Sequence, residues 1–99
     1  MTADELKAFF YEYSESDESH KSDRILKRFS NRDYLHAFIL LDKIIPDGHT
    51  MISAAKHDEI YFDFDIEELA KVITKEQILD LVRCGVNYDS DNDCLYMFV

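Results

Sequence analysis

The chain closes on Cys94-Leu95-Tyr96-Met97-Phe98-Val99, a run with no charge and no helix breaker. Extended, it puts Cys94, Tyr96 and Phe98 on one face and Leu95, Met97 and Val99 on the other. A strand that is apolar on both faces demands cover on both sides. Two arrangements supply it. Helices of the same chain can sandwich the strand. Alternatively, one face stays open for a second copy or a target, and Tyr96 and Phe98 then become the residues of self-association.

The rest of the chain determines what cover is at hand. Two Gly and one Pro in 99 residues leave little room for irregular structure, so one domain over 1–99 is expected. Thr2 and Glu5 form a capping-box pattern, and Leu6, Phe9, Phe10 and Tyr13 recur at helical spacing; a helix over 3–13 follows. Ser14 to Ser22 holds no apolar residue and reads as a mobile polar loop. Ile25, Leu26 and Phe29 against Lys27 and Arg28 predict a short second helix. Ser30 and Asp33 form another capping-box pattern. It launches a third helix with Tyr34, Leu35, Phe38, Leu41 and Ile45 on one stripe, widened by Ile39, Leu40 and Ile44 until most sides are buried. Pro46-Asp47-Gly48 ends it.

The period then switches to two. The segments 49–55 and 59–65 flank a tight turn at Lys56-His57-Asp58, with Ile60, Phe62 and Phe64 facing a core and Tyr61, Asp63 and Asp65 facing away. Asp65 can cap a helix over 66–73, with Glu67 and Glu68 in the first turn. Thr74 and Gln77 complete a third capping box, for a helix with Ile78, Leu81 and Val82 inward and Gly85 just past its end. A last hairpin turns at Asp91-Asn92, so that Val86 faces Met97 and Tyr88 faces Leu95. The expected fold class is α+β, order ααα-ββ-αα-ββ, with helices on an antiparallel sheet of about four strands.

The motifs exclude more than they assign. Asp89, Asp91 and Asp93 match the first three acidic positions of a calcium loop, but Cys94 stands where Gly is needed and the bidentate Glu would lie beyond Val99. Cys84 and Cys94 lack a CxxC spacing, and His20, His36, His49 and His57 form no zinc pattern, so no metal or other cofactor is expected. In the predicted hairpin Cys84 is not opposite Cys94, which disfavours a disulfide. No nucleophile elbow, zincin motif, P-loop or dinucleotide fingerprint is present, so an enzyme is not expected. No signal peptide opens the sequence and no apolar run approaches the roughly 18 residues of a membrane span; a cytoplasmic protein with reduced thiols is expected.

Charge carries the functional reading. Twenty-one acids against eleven bases give a net charge of −10. Residues 57–99 hold eleven acids and three bases, a balance of −8, whereas residues 20–56 are mildly basic. Such a charge repels nucleic acid and anionic membranes and favours a basic protein partner. The candidate partner-binding residues are Asp63, Asp65, Glu67 and Glu68 at a strand-to-helix junction, Glu76 and Asp80 on the next helix, and Asp89, Asp91 and Asp93 at a hairpin tip. Carboxylates on a rigid scaffold can occupy a site built for phosphates. The bland alternative for all of them is a solvated, solubilising face.

In size and charge the whole chain resembles the small acidic inhibitors of phages and mobile elements, of anti-CRISPR or DNA-mimic type, and also immunity proteins that neutralise nuclease toxins. The resemblance implies an anti-defence inhibitor of a basic nucleic-acid-binding complex or nuclease, acting in the host cytoplasm, and it carries over no individual residues. The alternative is an adaptor or homodimer-forming interaction domain. Its C-terminal half, a helix pair and a two-stranded wing, has a winged-helix outline with too few basic residues to read DNA.

Overall fold

Thr2, Asp65 and Thr74 start three of the four α-helices as their side chains dictate. Thr2 and Glu5 exchange bonds with each other's backbone N–H groups at 3.1 and 2.9 Å, and Thr74 and Gln77 do the same at 3.2 and 2.9 Å. Asp65 accepts from the N–H groups of Glu67 and Glu68. Each such cap is worth about 1 kcal/mol. A computed structural model describes residues 1–46 and 50–98. Its elements are α1 (Ala3–Ser14), a 3₁₀ turn (Ser22–Arg24), α2 (Asp33–Ile44), β1 (Ile52–Lys56), β2 (Glu59–Phe62), α3 (Ile66–Val72), α4 (Lys75–Arg83), β3 (Val86–Asp89) and β4 (Cys94–Phe98). The expected turn at Pro46-Asp47-Gly48 falls, at Asp47 and Gly48, outside the described residues.

The fold is α+β. The strands form one antiparallel sheet in the order β1-β2-β4-β3. The final hairpin has the expected register, with Val86 opposite Met97 and Tyr88 opposite Leu95. Its loop is longer than a two-residue turn: Ser90 to Asp93 all lie outside the ladder, and Asp93 takes the left-handed conformation at φ 51°. The hairpin is also no free wing, because β4 pairs with β2 along its other edge.

One face of this sheet makes the core. Phe62, Val86, Leu95 and Met97 join Leu6 and Phe10 of α1, Leu69 of α3, and Ile78, Leu81 and Val82 of α4 in a single buried cluster. Phe64 and Ile66, just past β2, are buried with them. The neighbouring residues of β4 fare differently: Cys94 and Tyr96 are half-buried and Phe98 is 54% exposed. The doubly apolar strand is therefore central in its sheet but covered on one side.

Three expectations about 25–45 need correction: the short helix, the capping box and the burial of α2. No helix forms over 25–29. Ile25 is buried, but Leu26 is 99% exposed, and bonds to side chains a few residues away take the backbone elsewhere. The Phe29 N–H donates to His36 Nδ1 at 3.1 Å, and the Arg28 guanidinium donates to the Ser30 carbonyl and to Asp33 Oδ1, both at 2.9 Å. That last bond also explains why the capping box at Ser30 does not form. Asp33 is committed to Arg28, the helix starts after Arg32 without a side-chain cap, and Ser30 Oγ instead accepts from Arg32 N–H. The third correction concerns α2, which is not buried on most sides. His36, Ala37, Leu40 and Leu41 are its buried residues, whereas Tyr34 and Leu35 are exposed.

The polar loop over 14–22 is polar as expected, and it is bonded to the end of α4. Glu18 accepts from Arg83 Nε at 2.6 Å and pairs with Arg24, and His20 N–H donates to the Val82 carbonyl at 3.4 Å. These bonds lower the Glu18 carboxyl below its usual range, the Arg83 bond contributing most. The His20 ring lies on Gly85, where a Cβ would meet Cε1 at 2.8 Å and the ring would have to move aside; Gly85 has φ +93°, and that conformation favours glycine there.

Two outcomes follow. Leu95→Ala should cost about 2–5 kcal/mol in urea unfolding, whereas Phe98→Ala, on the open face of the same strand, should cost about 0.5 kcal/mol or less. The second concerns His36, which is buried with Nε2 lacking a hydrogen-bond partner among the described residues. Burial, followed by the nearby Arg28 charge, lowers its pKa from 6.5, against the opposing pull of Asp80 and Asp33. The unfolded chain therefore takes up this proton first. This contribution to stability is complete above pH 6.5 and is lost as pH falls from there to the lower folded pKa. An NMR titration should find the His36 ring protonating below 6.5, with unfolding midpoints falling over the same window.

Candidate functional site

The partner of the covered face is a surface built by period-two alternation. Tyr61 lies opposite Tyr96, and Glu59 opposite Phe98; directly opposed residues share a face. The Tyr61 and Tyr96 rings stack at 6.0 Å, and Tyr96 meets Phe98 edge-on at 5.9 Å. An aromatic strip thus crosses β2 and β4 on the face opposite Leu95 and Met97, and Tyr96 also lines a cleft beside the C-terminal end of α1. The Tyr61 hydroxyl donates to the Glu59 carboxylate, and that bond pushes its pKa up to about 12, helped by desolvation.

The strip runs into a cleft of about 520 Å³ at the end of β2. Ala54 and Lys56 of β1, Tyr61, and the carboxylate-bearing Asp63, Asp65 and Asp93 are among its lining residues. Asp63 continues the outward face of Tyr61, and its N–H donates to the Met51 carbonyl at 2.7 Å. Asp65 is held by its cap. Asp93 accepts from the Tyr88 hydroxyl at 2.5 Å and lies 3.8 Å from Lys7 Nζ. Desolvation, with the Asp93 bond second, pushes the Tyr88 pKa up to about 12. Three acids from two distant stretches of sequence are thus brought to one opening.

The other acidic candidates are dispersed. Glu67 and Glu68 are exposed in the first turn of α3, and Glu68 pairs with Lys71 at 3.1 Å. Glu76 is exposed on α4; Asp80, expected on an exposed face, is half-buried and pairs with Arg83 at 3.4 Å. Asp89 supports the tip from inside. It accepts from Asp91 N–H at 2.9 Å and from the Asn92 side chain at 2.7 Å, and these bonds lower its pKa. Among the described residues, the carboxylates of Asp63, Glu67, Glu76 and Asp91 have no hydrogen-bond or ion-pair partner within the chain. Sequence reading put Tyr61 on the same face as Asp63, yet did not connect it to Tyr96. Strand order across β2 and β4 supplies that link, and no local signal encodes it.

Chemically the arrangement suits binding. Both cysteines are free thiols; burial pushes Cys84 up to about 12 and also raises Cys94, beside Asp89 and Asp93. Neither is a ready thiolate. Among the described residues no group of three His, Cys, Asp or Glu side chains could hold a metal ion, and no helix is long and apolar enough to cross a membrane. Comparison with family models, curated proteins and solved structures finds no match to this chain.

The division between working and uncommitted carboxylates gives a direct test. Asp65→Ala should cost about 1 kcal/mol through loss of the α3 cap. Asp63→Asn should stay within about 0.5 kcal/mol of the wild type in the same unfolding assay.

Proposed function

We propose that this chain is a non-enzymatic binding protein that engages a basic partner across the open sheet face and blocks a nucleic-acid-binding protein or nuclease. The observation that supports it is the aromatic strip Tyr61, Tyr96 and Phe98 lying beside a cleft with three aspartates. Guanidinium groups take this pairing well, since they stack on aromatic rings while hydrogen-bonding carboxylates. Surfaces that bind nucleic acid are rich in such groups because they neutralise phosphates. A net charge of −10 speeds encounter with such a surface, and carboxylates on a folded scaffold compete for the groups that hold the nucleic acid. In this reading the chain works as small anti-defence inhibitors of anti-CRISPR or DNA-mimic type do, in the cytoplasm of a host cell. Exposed Phe98 also favours a second reading, self-association through β4, which the same charge opposes.

The test replaces the four candidate carboxylates for which the described residues show no partner. Asp63→Asn, Glu67→Gln, Glu76→Gln and Asp91→Asn together change the net charge from −10 to −6. Affinity for a captured basic partner should fall about tenfold or more, with a shallower salt dependence. Unchanged affinity and unchanged salt slope would sink the charge-based mechanism.

A further inference from the structure

The sheet has two edges, and they are treated differently. α1 packs against β3. At the opposite edge all five residues of β1 are exposed. Edge strands are usually blunted by charge, proline or bulges. β1 has a bulge between Ile52 and Ala54 and a charge at Lys56, but Ala54 and Ala55 between them carry neither charge nor proline. The hairpin register fixes which backbone groups are on offer. Lys56 and Glu59 flank the two-residue turn; in a two-residue hairpin that flanking pair exchanges both ladder bonds and the next pair, here Ala55 and Ile60, exchanges none. The N–H and C=O of Ala55 therefore point out of the sheet.

We propose that β1 receives an extended basic segment of the partner as a fifth strand, with arginine or lysine side chains reaching over Ala54 to Tyr61 and the carboxylates of the cleft. This rests on the reading of the chain as a binder of basic partners and names how that partner docks. Backbone pairing supplies the attachment, and every second side chain of an added strand falls on the outer face. Ala54 lies opposite Tyr61 and is too small to screen its ring from that side. Beyond it, Asp63, Asp65 and Asp93 line the cleft with one base, Lys56, and of the three Asp93 is already paired, with Lys7. A second copy is a poor occupant, since it would bring −10 against −10 with these carboxylates beside the seam.

The probe is a blocked hexapeptide alternating arginine with valine. Its controls are a glutamate-for-arginine version and a version N-methylated on alternate residues, which cannot pair as a strand. Read by NMR on the intact protein, the arginine peptide should shift Ala55, Tyr61 and Asp63 together and slow exchange of the Ala55 amide about tenfold or more. The glutamate and N-methylated peptides should each bind at least about tenfold more weakly. Ala55→Pro should reproduce the loss, and the N-methylated peptide gives the same information if that variant does not fold. Equal binding of the N-methylated peptide, with no response at Ala55, would overturn strand addition while leaving the basic-partner reading intact. So would capture of an intact basic partner alongside no peptide binding at all. Equal binding of the glutamate peptide would overturn the role of charge, and Ala55 protection that grows with protein concentration alone would mean a second copy takes the edge. Failure of both the peptide and every basic partner would end both readings.

Discussion

The one-sided burial of β4 is the constraint on which the rest of this molecule depends. Leu95 and Met97 face the helices, and with Val86 and Phe62 they form the floor on which α1, α3 and α4 pack. Side-chain alternation then puts Cys94, Tyr96 and Phe98 on the other side. The described helices contribute their buried residues to the cluster on the first face. A chain of 99 residues has limited apolar surface with which to cover both faces of a four-stranded sheet. The same alternation that builds the core therefore exposes an aromatic strip.

The acidic residues divide along similar lines. Asp65, Asp80, Asp89 and Asp93 are held by a helix cap, an arginine, a loop backbone and a tyrosine hydroxyl. Those bonds spread their charge into local structure and fix where each carboxylate sits. Among the described residues the carboxylates of Asp63, Glu67, Glu76 and Asp91 have no such partner, although Glu67 and Glu76 lie in the first turns of α3 and α4, where the helix dipole favours them. Of these acids Asp63, Asp65 and Asp93 line the cleft, while Glu67 and Glu76 stand apart on α3 and α4.

Much of the fold was legible in the sequence because its signals are local. The caps at Thr2, Asp65 and Thr74, the glycine after α4 and the register of the last hairpin each depend on a few adjacent residues. The errors arose where a side chain a few residues along captured a backbone donor or a cap. Phe29 donates its N–H to His36 across the next helix start, and Asp33 turns to Arg28, so a plausible helix and a plausible capping box both failed to form. The tie from Glu18 to Arg83 spans 65 positions and leaves no mark in either segment. The candidate site followed the same rule. Its carboxylates could be named from sequence, but the neighbours that give Asp63 and Asp93 a common opening depend on β2 lying beside β4. Neither strand's own pattern specifies that adjacency.

The central claim is that the outer face of the sheet is open in the free chain and closed by a basic partner. Hydroxyl-radical footprinting of the chain, alone and in complex with a captured partner, tests it most directly. The account predicts that Phe98, Tyr61 and Tyr96 are oxidised in the free protein and protected in the complex, while Phe10 and Phe62 stay protected throughout. Protection of the strip in the dilute free chain, or oxidation unchanged by the partner, would contradict it.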